Sequence, residues 1–108
     1  MGNVWITDIR HYLSKDLRNI ELPAPAAKLR DYLGSIIEAV TARNPEQVDH
    51  VTEIRCRRRP KHRRCEGNVI AYFAEDDPTV IKWYCMFCSD SGYIRGWQGT
   101  IWDKMRVK

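Results

Sequence analysis

The apolar positions between residues 25 and 43 repeat with the period of a helix. The repeat at i, i+3 and i+4 runs over about three turns. Its members are Leu29, Tyr32, Leu33, Ile36, Ile37 and Val40. Pro25 suits a first turn, and Asn44-Pro45 suits an end. Only Gly34 weakens the pattern, and it lies off the apolar stripe. The sequence therefore predicts one long amphipathic helix that needs a partner surface.

A shorter helix is predicted near the N-terminus. Thr7 or Asp8 can cap it through a side-chain oxygen. Its apolar stripe would then be Ile9, Tyr12 and Leu13. Pro23 and Pro25 interrupt the pattern after this helix, because proline disfavours helical backbone in the residue before it.

The second half of the chain has the composition of strands and turns. Residues 51–57, 69–74 and 79–85 are rich in β-branched and aromatic side chains. The turn residues 75–78 join the last two of these segments as a predicted hairpin. A further short strand can lie around Tyr93 and Ile94, between glycines.

These elements predict a single α+β domain over residues 1–108, the natural expectation for a chain of 108 residues. Its helical half covers residues 1–47 and its strand-rich half covers residues 48–108. We expect the short N-terminal helix and the long amphipathic helix to pack on a three- or four-stranded antiparallel sheet. A chain of this size buries a small core, so a bound metal would add useful stability to the fold.

Cysteines occur only in the strand-rich half, and each lies where a predicted strand begins or ends. They are Cys56, Cys65, Cys85 and Cys88. An antiparallel meander brings all four to one pole of the sheet. Structural Zn²⁺ sites are closed by four such ligands. Cys85-x-x-Cys88 is typical of a zinc knuckle, and Gly92 is expected to leave its turn with positive φ.

Other readings of the cysteines are reduced core thiols, a redox Cys-x-x-Cys pair, and His62 in place of one ligand. A redox pair usually begins a helix, whereas this pair follows a predicted strand. A zinc deaminase would need His-x-Glu and Pro-Cys-x-x-Cys. Here the His50–Glu53 spacing is too long and the proline is absent. We therefore assign no catalytic residue and expect a protein that is not an enzyme, without a small-molecule substrate.

The charge is concentrated in one stretch, residues 55–64, which we call the basic segment. It holds seven Lys and Arg and no acid, a charge of +7. The other residues hold 11 basic and 14 acidic groups, a charge of −3. Such a concentration attracts polyanions, or it offsets a local negative charge.

Two functions follow from this segment. Its cations can bind the phosphates of DNA or RNA, with Trp97 and the nearby Tyr93 and Trp102 stacking on bases. The candidate contacts are Arg57, Arg58, Arg59, Lys61, Arg63, Arg64 and Trp97. Alternatively, the arginines only offset the thiolates of the metal site, the tryptophans fill the core, and the protein is an interaction module for another protein.

The chain shows no apolar run of membrane-spanning length and no secretory signal pattern. We therefore expect no membrane partner and a cytoplasmic location, where cysteines more often bind metal than form disulfides.

Several short motifs resemble those of a group of small, uncharacterised bacterial proteins. They are Trp5 to Leu13, Leu22 to Pro25, Cys56 to Pro60, Cys85-x-x-Cys88 and Gly96 to Thr100. The strand-rich half is similar in fold to zinc ribbons, which implies metal binding at the four cysteines. The wide spacing between Cys56 and Cys65 departs from the ribbon pattern. The resemblance implies no activity, because ribbons serve in both nucleic-acid and protein binding.

Overall fold

A five-stranded mixed sheet carries one long helix on one of its faces. The computed structural model describes residues 4–15, 20–42, 51–56, 65–77, 79–88 and 90–104. The strands are β1 (Val4–Asp8), β2 (Val51–Arg55), β3 (Asn68–Phe73), β4 (Ile81–Cys85) and β5 (Ser91–Arg95). The long helix is α1 (Ala24–Thr41), and a 3₁₀ helix covers Ile9–Tyr12. The α+β prediction is confirmed.

The strands lie in the order β1-β5-β4-β3-β2. β2 to β5 form the predicted antiparallel meander, including the β3–β4 hairpin. β5 confirms the further strand expected around Tyr93. β1 pairs in parallel with β5 at the other edge.

The long helix begins and packs as its apolar stripe predicts. Pro25 lies in the first turn. Leu33, Ile36 and Ile37 are almost fully buried in the core between helix and sheet. Tyr32 meets the ring of Trp83 edge-on, with 6.1 Å between the ring centroids.

Gly34 is a contact point for the C-terminal segment and not merely a weak helical residue. A Cβ atom built on Gly34 would overlap the indole ring of Trp102. Thr41 holds the same segment, because its hydroxyl, which donates to the Ile37 carbonyl at 2.7 Å, accepts from the Lys104 amide at 2.9 Å. The glycine therefore lets residues 97–104 close one side of the core.

The predicted short N-terminal α-helix is wrong. Residues 4–8 form a strand, and a single 3₁₀ turn follows it. Asp8 does cap that turn, by accepting from the Arg10 amide at 3.0 Å. The cap and the Ile9 stripe are therefore real, but the turn ends at Tyr12, because Leu13 returns to extended backbone.

The strand count and its purely antiparallel arrangement are also corrected. β1 joins β5 from nearly the opposite end of the chain, and parallel pairing needs a long connection. No local turn signal marks such a pairing. The short apolar run Val4, Trp5 and Ile6 therefore did not indicate a strand.

Gly92 does not have the positive φ expected of it. It lies inside β5, opposite Trp83. The left-handed residue is instead Gly96, with φ of 70° at the end of β5. A Cβ atom there would run into the Asp8–Arg10 ion pair, which closes at 2.6 Å. Gly96 thus ends the strand and makes room for the cap of the 3₁₀ helix.

Within the described residues, no helix combines the length and apolar character that crossing a membrane requires.

Candidate metal centre

The first two cysteines flank the gap between β2 and β3. Cys56 follows β2 directly, and its amide donates to the Gly67 carbonyl at 2.9 Å. Cys65 precedes β3 by three residues. The ladder between the two strands therefore continues past the strand ends and places both side chains at the same end of the sheet.

The other two cysteines come from the β4–β5 connection. Cys85 is the last residue of β4, and its amide donates to the Asp90 carbonyl at 2.7 Å. Cys88 lies on the turn that follows. The Met86 amide donates to the Asn68 carbonyl at 3.2 Å, which ties this turn to the start of β3. Adjacent strand ends thus deliver four thiols to one place, which we call the metal pole.

The four sulfur atoms have the spacing of a tetrahedral ligand set. All lie within 4.8 Å of one another. The Sγ–Sγ distance is 3.6 Å between Cys56 and Cys88 and 3.5 Å between Cys65 and Cys85. A tetrahedron with Zn–S bonds of about 2.3 Å has sulfur atoms about 3.8 Å apart. These residues could therefore hold one metal ion, and the convergence predicted from the strand ends is confirmed.

The four cysteines are largely shielded from water, and they form a cluster of their own beside the main core. Cys56, Cys65 and Cys85 are buried, and Cys88 is half-buried. They pack together as a cluster distinct from the apolar core under α1. Buried polarisable groups so close to one another are costly to leave unsatisfied as thiolates, and a cation in their midst removes that cost.

Backbone amides point at two of the sulfurs in the same way. The Gly67 amide donates to Cys65 Sγ at 3.4 Å, and the Phe87 amide donates to Cys85 Sγ at 3.3 Å. In both cases the donor lies two residues after the cysteine. Such bonds orient a ligand and stabilise its thiolate form. We call Cys56 and Cys65 the first arm of the site and Cys85 and Cys88 the second. Both arms therefore have the local geometry of a knuckle, although only the second has the Cys-x-x-Cys spacing.

Gly67 was not singled out by the sequence, yet it shapes the first arm. A Cβ atom there would lie 2.5 Å from Cys85 Sγ and 3.1 Å from Phe87 Cβ. The close approach of the two arms thus requires a glycine at this position. A glycine two residues after a cysteine was the available signal.

The two thiols of the second arm have opposite pKa shifts. Burial raises the pKa of Cys85, but hydrogen bonds from the Cys88 and Phe87 amides and from neighbouring thiols outweigh it and lower the pKa to about 7. Burial raises the pKa of Cys88. A substantial fraction of Cys85 is therefore thiolate at neutral pH, and the thiolate is the form that binds metal.

Of the candidate nucleic-acid contacts, only Trp97 lies within the described residues. Arg57, Arg58, Arg59, Lys61, Arg63 and Arg64 lie outside the described residues, as does His62, the alternative ligand. Arg55, the first residue of the basic segment, is exposed at the end of β2.

Trp97 is not placed to stack on a base, which corrects that part of the prediction. It is 5% exposed, its ring packs against Phe73, and its indole N–H donates to the Thr79 carbonyl at 2.9 Å. Trp83 and Trp102 are buried as well. The alternative prediction, that tryptophans fill the core, is confirmed for these three.

The chain matches no model of a known protein family, no curated protein and no solved structure.

Proposed function

We propose that the protein is a non-enzymatic zinc-binding protein whose metal site holds the ends of its strands together. The observation that carries this proposal is the set of four sulfurs within 4.8 Å of one another. Four thiolates fill the tetrahedron that zinc prefers, so no position is left for a substrate or a reactive water. A site of this kind stabilises a fold and performs no reaction. Four cysteines without a disulfide among them suit the reducing cytoplasm.

Elemental analysis tests the metal directly. Protein purified without added metal is expected to contain about one zinc per chain. A tetrahedral four-sulfur site also suits iron, so iron is measured in the same sample. A folded protein with neither metal would contradict the proposal, and one iron per chain would keep the site but change the ion.

The proposed partner is nucleic acid, bound through the basic segment. Residues 57–64 of this segment connect Cys56 to Cys65 in the sequence, and the sulfurs of these two cysteines lie within 4.8 Å of each other. Six of its seven cations lie between these two cysteines in the sequence, and the seventh, Arg55, ends β2 directly before Cys56. Concentrated cations of this kind bind phosphates and release counterions, which supplies most of the affinity of non-specific binding.

A titration at several salt concentrations tests this contact. Binding of DNA and RNA is expected to weaken steeply as salt rises. Replacing Arg57 and Arg58 with glutamine should lower the slope of log K against log salt by about 1.8 for duplex DNA and about 1.4 for single strands. The matched control replaces Lys15 and Lys28, two exposed lysines outside the basic segment, and should leave the slope nearly unchanged.

A second candidate function is docking of another protein at the metal pole. Met86 is 51% exposed and Phe87 is 70% exposed on the turn between Cys85 and Cys88. Large apolar side chains at such exposure are typical of interaction sites. In that case the arginines would only balance the thiolates. Absence of nucleic-acid binding at low salt would favour this function.

A further inference from the structure

The sheet has a second face, opposite α1, on which tyrosines are concentrated. Side chains alternate along each strand, so Val69 and Ala71 point to the buried core while their neighbours point away from it. We call this surface the open face, and its members are Ile6, Ile70, Tyr72, Lys82, Tyr84 and Tyr93. All six are half-buried or exposed.

Strand register arranges these residues in two rows across the sheet. Tyr72, Lys82, Tyr93 and Ile6 are successive partners on β3, β4, β5 and β1. Ile70 and Tyr84 are partners in the row beside them. Neighbouring strands lie about 4.8 Å apart, so the rings form one continuous surface and are not scattered.

Part of the open face is accessible to solvent and therefore to a ligand. Tyr72 and Tyr84 meet edge-on, with ring centroids 6.5 Å apart. Tyr84 is 38% exposed and Ile6 is 74% exposed. The Lys82 ammonium lies 5.5 Å from the centroid of the Tyr93 ring. Because that lysine is long and flexible, it can move from the ring to a phosphate when a base takes its place.

The charge around the open face is complementary to a polyanion. Lys82 lies at its centre, and Arg55 and Arg95 lie on the same face at two of its corners. Among the described residues the acids of this face are Glu53 and Asp8, which is already paired with Arg10, and Asp77 of the β3–β4 turn interacts with Arg95. The basic segment continues from Arg55, so its cations start at the edge of this face.

We propose that the open face binds single-stranded nucleic acid, with bases stacked on Tyr84 and Tyr93 and a phosphate held by Lys82. This inference rests on the proposed nucleic-acid function and specifies its surface and its substrate. Stacking requires unpaired bases, and it tolerates any sequence because every base has a π-face. A nucleic-acid strand supplies both of the groups that this face can bind, because its phosphates pair with Lys82 and its flat bases stack on tyrosine rings.

The test measures fluorescence anisotropy with oligo(dT) and oligo(rU) of about 12 nucleotides, within the usual site size, and with a duplex of equal length. Tyr84→Ala and Tyr93→Ala should each weaken single-strand binding by about 5- to 100-fold, with no change in salt slope. Tyr84→Phe and Tyr93→Phe keep the rings and should bind normally. Lys82→Gln should lower the salt slope by about 0.7.

Ile101→Ala is the matched control, because it removes an exposed large apolar side chain from the C-terminal segment that packs on α1, away from the open face. It should bind as the unchanged protein does. Circular dichroism and metal content verify that every variant is folded.

Two outcomes separate this inference from the function on which it rests. If the tyrosine variants bind normally while the Arg57/Arg58 variant does not, the open face is excluded and the basic segment alone is the contact. Preference for the duplex would exclude the open face as well. If no nucleic acid binds even at low salt, both proposals are wrong.

Discussion

Replacing Cys85 with serine is expected to abolish metal binding and to unfold the strand-rich half of the protein. Cys85 is central to the cluster, since its sulfur lies 3.5 Å from Cys65 Sγ and accepts the Phe87 amide. Its low pKa makes it the best-prepared thiolate of the second arm. Three remaining sulfurs would leave the metal with an incomplete set of ligands.

The expected loss of stability is large because the metal connects the ends of several strands. Structural zinc contributes about 10–16 kcal/mol in small domains, whereas a whole protein is stable by only about 5–15 kcal/mol. Both arms of the site lie at strand ends, so loss of the ion releases β2 from β3 and β4 from β5 together. Part of the apolar core under α1 is built on the same strands, and it cannot compensate for a loss of this size.

Elemental analysis, circular dichroism and amide exchange measure the result. The Cys56 and Cys85 amides bond across the strand ends, so they should lose protection from exchange first. Met86→Ser is the matched control, because it changes the next residue of the same turn, which is exposed and is not a ligand. It should keep both metal and fold. A Cys85→Ser protein with native stability would show that the site does not support the fold.

Acid should act in the same direction as this substitution. Metal binds the thiolate, so protons compete with it, and affinity falls as the pH drops below the pKa of the ligands. This is a general property of four-cysteine sites, and it explains why the metal pole and the fold should be lost together on acidification.

The metal pole could be predicted from sequence because its information is local. Alternating strands and a turn of known type determine where each strand ends, and the cysteines lie at those ends. An error of one or two residues in strand bounds does not move a cysteine to the other end of a sheet. The strand predicted over residues 51–57 ends at Arg55 instead, yet Cys56 still reaches the cluster.

The parts that could not be predicted depend on distant partners. β1 is a strand only because β5 lies beside it, and nothing near residues 4–8 indicates that pairing. Trp97 was predicted to stack on bases, but its ring packs against Phe73 and its indole N–H donates to the Thr79 carbonyl. Tyr93 was named for stacking from the sequence, but Tyr72 and Tyr84 were recognisable only once strand register placed them on the same face.

The second large effect concerns Trp102, which closes the core from the C-terminal side. Trp102→Ala is expected to destabilise the protein by about 3–5 kcal/mol, the usual cost of removing a buried tryptophan. The ring is 8% exposed and lies against the backbone of α1 at Gly34. Urea denaturation in the presence of the metal measures the change in the free energy of unfolding.

Gly34 supplies a sharper form of this prediction, because its effect should change sign with its partner. In the unchanged protein, Gly34→Ala should cost about 1–3 kcal/mol, since the new Cβ collides with the indole. In the Trp102→Ala background the collision is absent, and alanine should stabilise the helix by up to about 1 kcal/mol. The two substitutions therefore form a double-mutant cycle with a large coupling free energy. Stabilisation by Gly34→Ala in both backgrounds would mean that the ring does not pack on the helix at this point. Destabilisation in both would mean that another neighbour of Gly34 excludes the methyl group.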